Sequence, residues 1–318
     1  MKAPVLFIML TVMLDAMGIG LIVPVMPDLL RDINGGGLSE AAVWGGVLAT
    51  SFAVMQFLFG PVLGGLSDRF GRRPILLLSL AVMAADYVVM ALTHSIWLLL
   101  AARIIGGITA ATQSTASAYM ADISTGAERT KNFGLIGAAF GMGFVLGPVI
   151  GGLLAELGPR APFWAAAGLS IANMILGYLV LKETVSRENA RAFDWRRANP
   201  FGSFRQLGKL PGVRRLVLVY FLYHFAFTVY PSVWAYFGQA RFDWTPAIIG
   251  ASLASFGLAM AAVQGGLVRL ILNRLGERGT ATLSFVFGVL TYVCIGLIPS
   301  GSIILTLTPI AALGAMAP

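Results

Sequence analysis

The chain has 318 residues, of which 58% are hydrophobic and 11% charged, whereas an ordinary soluble domain carries about a quarter charged residues. A mean hydropathy of +0.83 excludes a water-soluble globular domain, and a lone Cys294 with two histidines excludes internal disulfides and a Cys/His metal cluster. The net charge of +8 leaves nucleic acid as a partner to be tested by where the basic residues fall.

A membrane-crossing helix needs about 20 apolar residues, and nine complete runs begin near Ala3, Ala42, Ile75, Ile96, Phe133, Pro162, Leu216, Pro246 and Ala281. A tenth begins near Ser302 and reaches Pro318. The expected fold is an all-α membrane bundle. The first run continues past Asp15 to Leu30 with no small-residue cleavage site, so it reads as a retained helix. With the N-terminus inside, 18 basic residues fall in intracellular segments and only Arg31, Arg160 and Arg241 outside, with Arg103 in a helix. That asymmetry orients the chain with a cytoplasmic N-terminus in the inner (plasma) membrane, and removes any need for nucleic acid.

Taken in order, the first span carries Asp15 and the third Asp86, both near mid-depth. An ionised carboxylate in lipid is costly, so such groups face a cavity, pair, or bind a proton. After the second span, Asp68 with Arg69, Arg72 and Arg73 can make charged hydrogen bonds to nearby helix ends, beside Gly64 and the turn residue Gly71. Arg103 lies on the fourth span about 10 Å from its outer end, close enough to snorkel to the surface. On the fifth, Gly143, Gly147 and Gly151 recur every four residues on one face, followed by Gly152, and Pro148 removes an amide. A pliable, closely packed helix follows.

The longest polar stretch, Lys182 to Arg215, divides residues 1–182, a first six-helix half, from residues 216–318, with 183–215 as a basic cytoplasmic linker. The segment Asp68-Arg-Phe-Gly-Arg-Arg73 is echoed by Asn273-Arg-Leu-Gly-Glu-Arg278 at an offset of 205. Such parallel repeats place a substrate cavity between two six-helix halves. On that arithmetic the second half is incomplete, with about two and a half of twelve helices beyond Pro318. His224 on the seventh span is a further titratable group. There is no phosphate-binding glycine loop, so transport would run on a gradient rather than ATP, with no cofactor and no enzymatic chemistry.

Gly64-Gly-Leu-Ser-Asp-Arg-Phe-Gly-Arg-Arg73 resembles the loop signature of the major facilitator superfamily. Arg103-Ile-Ile-Gly-Gly resembles a second family motif tied to proton coupling, and Gly143 to Gly152 resembles the antiporter motif of drug exporters. Asp15 to Pro27, Tyr119-Met-Ala-Asp122 and Arg241-Phe-Asp-Trp244 resemble the tetracycline-efflux branch. The resemblance implies a drug:proton antiporter working by alternating access, with Asp15, Asp86 and Arg103 in coupling or substrate binding and the loop cluster, with Asp122, as a conformational latch. Gln264 matches the branch, whereas the positions of its ninth-span aspartate and eighth-span histidine are occupied by Gly288 and Met260. The implied partners are a small drug, protons and the bilayer, with the chain a monomer. The competing readings are a non-transporting membrane fragment and a proton-linked permease for another small molecule.

Overall fold

The computed structural model describes residues 3–185, 193–195, 198–202 and 213–315, and among these every regular element is helical. Eight stretches are long and apolar enough to cross a membrane: Ala3–Asn34, Leu38–Phe70, Arg72–Leu92, Ile96–Ile123, Glu128–Leu157, Ala161–Val180, Val213–Phe242 and Pro246–Leu297. The shorter Gly301–Ala315 follows. Most of the expected linker 183–215, and the residues around Pro318, lie outside the described residues.

The first run is α1 (Ala3–Ile22), a 3₁₀ turn at Val23–Val25 and α2 (Met26–Asn34). Pro24 and Pro27 withhold amide donors there, and the backbone tightens locally. Next come α3 (Leu38–Phe70) and α4 (Arg72–Leu92), parted at Gly71. Its φ of 111° is one that glycine adopts without a Cβ penalty. The helices begin earlier than the apolar runs at Ala42 and Ile75 because their polar first turns project beyond the apolar segment.

The fourth run is two helices, α5 (Ile96–Thr109) and α6 (Thr112–Ile123), separated at Ala110 (ψ 77°) and Ala111 (φ −120°, ψ 5°). No proline causes this break. Gly106 and Gly107 weaken the preceding turn, and β-branched Ile108 and Thr109 follow them. Then come α7 (Gly126–Leu154) and α8 (Ala161–Val180).

Beyond the linker lie α9 (Val213–Phe242), α10 (Pro246–Ala262), a π-helical turn at Val263–Leu267, α11 (Val268–Leu297) and α12 (Gly301–Ala311). The 52 residues from Pro246 to Leu297 would extend about 78 Å if straight. They are interrupted at Gly276, whose φ of 68° and ψ of 178° are not helical. Gly276 stands 205 residues after Gly71, so the sequence repeat is also a repeat of backbone breaks.

Packing centres on α1, which lies against α7 and α8, while α8 also covers α4. Met17, Leu21, Met83, Tyr87 and Phe163 are buried in one apolar cluster, and Phe7, Ile8, Val12, Leu76 and Tyr119 in a second. A third, around Trp234, Ile249, Phe256 and Ile304, belongs to α9 to α12. Many large apolar side chains instead point outward: Leu153, Leu179, Leu218 and Val289 are each exposed. An apolar girdle of this extent suits lipid rather than water.

Candidate functional site

Two carboxylates sit inside the bundle in different company. Asp86 of α4 is ion-paired with Arg103 of α5, whose Nε donates to Asp86 Oδ1 at 3.3 Å. Both residues are buried, at 3% and 8% exposure, so the arginine pairs inward rather than snorkelling. Its guanidinium lies 4.9 Å from the centre of the Phe52 ring. Gly106 borders the pair, and a Cβ there would be in van der Waals contact with Asp86 Oδ2 at 3.4 Å.

Asp15 of α1 is half-buried and faces the Thr112 hydroxyl, at the start of α6, with Tyr87 of α4 close by. The Tyr87 hydroxyl is 3.0 Å from where a Cβ of Gly18, three residues along α1, would lie. Among the described residues no lysine, arginine or histidine forms an ion pair with Asp15. The other two expected members are elsewhere. His224 is exposed and lies at a tilt against Tyr220, ring centres 4.2 Å apart, and Gln264 is exposed in the π-turn. Neither is hydrogen-bonded to Asp15 or Asp86 among the described residues. Met260 is partly buried in the third apolar cluster. Gly288 borders an apolar cavity of about 370 Å³ with Tyr223, Phe256, Phe285 and Tyr292.

The loop cluster forms a charged knot at one end of the bundle. Arg72 is ion-paired with Asp68 across the Gly71 break and, through Nε, with Asp122 Oδ2 of α6 at 3.2 Å. Arg72 Nη1 also donates to Ser67 Oγ at 2.7 Å, which in turn donates to the Gly64 carbonyl at 2.8 Å. Arg73 donates to the Tyr178 carbonyl at 2.6 Å, whereas Arg69 is exposed over the Phe70 ring. The residue that sequence reasoning missed is Glu183. Its carboxylate accepts from the amides of Arg72 at 2.9 Å and Arg73 at 3.1 Å, and from those of Thr184 and Val185 at 2.9 and 3.0 Å. It thereby caps α4 from more than 100 residues away. A Cβ on Gly71 would collide with it at 2.2 Å. The available signal was a carboxylate placed directly after the sixth span.

The α7 motif is a contact surface. Cβ atoms on Gly143, Gly147 and Gly151 would lie 2.2, 2.6 and 2.1 Å from the carbonyls of Met13, Met17 and Leu21 in α1. On the far side, Gly152 meets the Pro246 carbonyl, and the Pro148 carbonyl faces Gly250 of α10. Thus α7 holds α1 on one side and α10 on the other. At the bundle end opposite the charged knot, Gln239 of α9 donates to Asp28 and accepts from Arg31 of α2, each at 3.2 Å.

Residues 8–317 match the family model of the Major Facilitator Superfamily. The chain is 44% identical over 291 residues to the class C tetracycline resistance protein of Escherichia coli, covering 92% of this chain and 73% of that protein. It is 39% identical to the class D tetracycline resistance protein of Salmonella ordonez, with 95% and 75% covered. The crystal structure of the human organic anion transporter MFSD10 superimposes with a TM-score of 0.73 at 26% identity, covering 99% of this chain and 83% of that one. These relatives are transporters, not enzymes, and the protein crosses the membrane several times. With eight membrane-length helical stretches among the described residues, the chain belongs to the Major Facilitator Superfamily and resembles its tetracycline-efflux branch.

Proposed function

We propose that the protein is a secondary active transporter that exports a tetracycline-type or similar drug in exchange for protons by alternating access. The observation that carries this reading is Asp15: a carboxylate inside the bundle, with a hydroxyl partner and no cation to neutralise it among the described residues. Such a group can take up and release a proton as the cavity changes sides. In this reading Asp86 and Arg103 form the fixed charge pair of the site, and His224 and Gln264 reach substrate from α9 and the π-turn. The cluster of Gly64, Asp68, Arg69, Gly71, Arg72, Arg73 and Asp122 latches one state.

The proposed arrangement is a six-helix half over residues 1–182, joined by a cytoplasmic linker to a second half. The helix break at Gly276 supports counting Pro246–Leu297 as two spans, hence nine complete ones and part of a tenth. The proposed N-terminus is cytoplasmic, and the unit is a monomer. Relatives named for tetracycline resistance favour an antibiotic as substrate. The test is tetracycline uptake into inverted vesicles under an imposed proton gradient. Parent protein should accumulate drug and Asp15→Asn should not; gradient-independent behaviour of the parent, or full activity of Asp15→Asn, would sink the reading.

A further inference from the structure

The chain breaks its fourth span inside the bundle rather than at a surface. Ala111 and Thr112 are 1% and 5% exposed, yet the helix has stopped at Thr109 and restarts at Thr112. Gln56 of α3 donates to the Ala110 carbonyl at 3.5 Å, and the Ala111 amide turns back onto the Thr109 carbonyl at 2.8 Å. A helix that begins at Thr112 has first amides without intrahelical acceptors and carries its partial positive charge there. The Thr115 amide makes the first bond of the new helix, to the Ala111 carbonyl at 2.9 Å. An interrupted transmembrane helix costs hydrogen bonds that an unbroken one keeps, so an interruption at this depth asks for a use.

The side chain at the restart is the one that meets Asp15. Asp86 has Arg103, a permanent cation at bonding distance, and a carboxylate so paired keeps its charge. Asp15 has instead a neutral hydroxyl and a helix end, which support negative charge without cancelling it. The titratable group facing it is Tyr87 from α4; α6 contributes the Thr112 contact, and among the described residues no charged group of α7 or α8, the other helices packed on α1, forms an ion pair with it.

We propose that Thr112, presented by the break at Ala110–Ala111, is a positioning residue for Asp15, and that Asp15 rather than Asp86 is the exchangeable proton site. This rests on the exchange function proposed above. The Thr112 hydroxyl donates to the Asp15 carboxylate in one protonation state and is released in the other, so the start of α6 follows the charge on α1.

The test uses the full chain in lipid nanodiscs, followed by infrared difference spectra during acid–base titration. The protonated-carboxyl band assigned to Asp15 is the one that Asp15→Asn removes. Its midpoint should move by at least about one pH unit, a tenfold change in proton affinity, in Thr112→Val, as for loss of a hydrogen bond to a charged group. Thr112→Ser should restore it. An unmoved midpoint in Thr112→Val, or no rescue by serine, overturns the proposal, as does a titrating band that survives Asp15→Asn and disappears in Asp86→Asn. Should Thr112→Val fail to fold, Thr112→Ala against Thr112→Ser carries the same comparison. Gradient-driven tetracycline uptake reports separately on the exchange function. No gradient-driven uptake by the parent refutes that function whatever the spectra show, uptake unaffected by Asp15→Asn refutes Asp15 as the proton site, and a silent Thr112→Val beside an inactive Asp15→Asn refutes the positioning role alone.

Discussion

Arg103 illustrates how a residue noticed in the sequence acquires its partner only from packing. An arginine in an apolar run was legible as unusual, and its depth allowed a route to the surface. Its actual partner, Asp86, lies on the preceding helix, and which carboxylate a buried cation meets depends on helix packing that a lone sequence does not encode. Removing one member of a buried pair leaves an uncompensated charge. Arg103→Gln should therefore lose about 3–5 kcal/mol of stability, measured as a lower midpoint of thermal unfolding in detergent. Arg103→Gln combined with Asp86→Asn should recover much of that loss. Glu183 was illegible for a related reason: a carboxylate after the last apolar residue of a span resembles any solvated linker charge. Because it accepts from four amides, Glu183→Ala should cost about 1–3 kcal/mol. Faster cleavage by protease near Thr184 than in the parent would report it.

At the scale of elements, the helices and their glycine face were visible because period and composition announce them. The break in the fourth span was not, since no proline marks it and Ala110 and Ala111 are good helix formers. The glycines before it loosen the turn, and their place is fixed by packing: Gly107 lies so close to α3 that a Cβ would sit 2.5 Å from the Phe52 carbonyl. The stripe on α7 makes a sharper statement. A methyl group at Gly147 would lie 2.6 Å from the Met17 carbonyl, so α1 and α7 must part to admit it. Gly147→Ala should destabilise by about 1–3 kcal/mol through overpacking, while Gly168→Ala, where a Cβ meets nothing within 4 Å, should be near neutral. Comparative thermal unfolding of the two variants checks this.

For the whole molecule, the repeat was legible as matching motifs, and the structure renders it as matched breaks at Gly71 and Gly276. Which ends of the bundle touch was not legible, because it depends on how the helices pack. Here α2 and α9 meet through Asp28, Arg31 and Gln239. Cysteines at Asp28 and Gln239, oxidised to a disulfide in a Cys294→Ser background, should arrest transport reversibly, with activity returning on reduction. With most basic residues on one side, a tag at Asn189 should be reached only from the cytoplasm; labelling from outside intact cells would reverse the proposed orientation. The seam between α1, α7 and α10 has a further consequence. Its closest groups are glycines and main-chain carbonyls, which are chemically the same in every protein. Recombination between related genes could therefore exchange α1 for a foreign counterpart and still find a fit, provided the four-residue glycine spacing survives. The charged knot at the other end offers no such freedom. Arg72, Asp122 and Glu183 lie on three separate segments, so viable hybrids should inherit those three together or not at all.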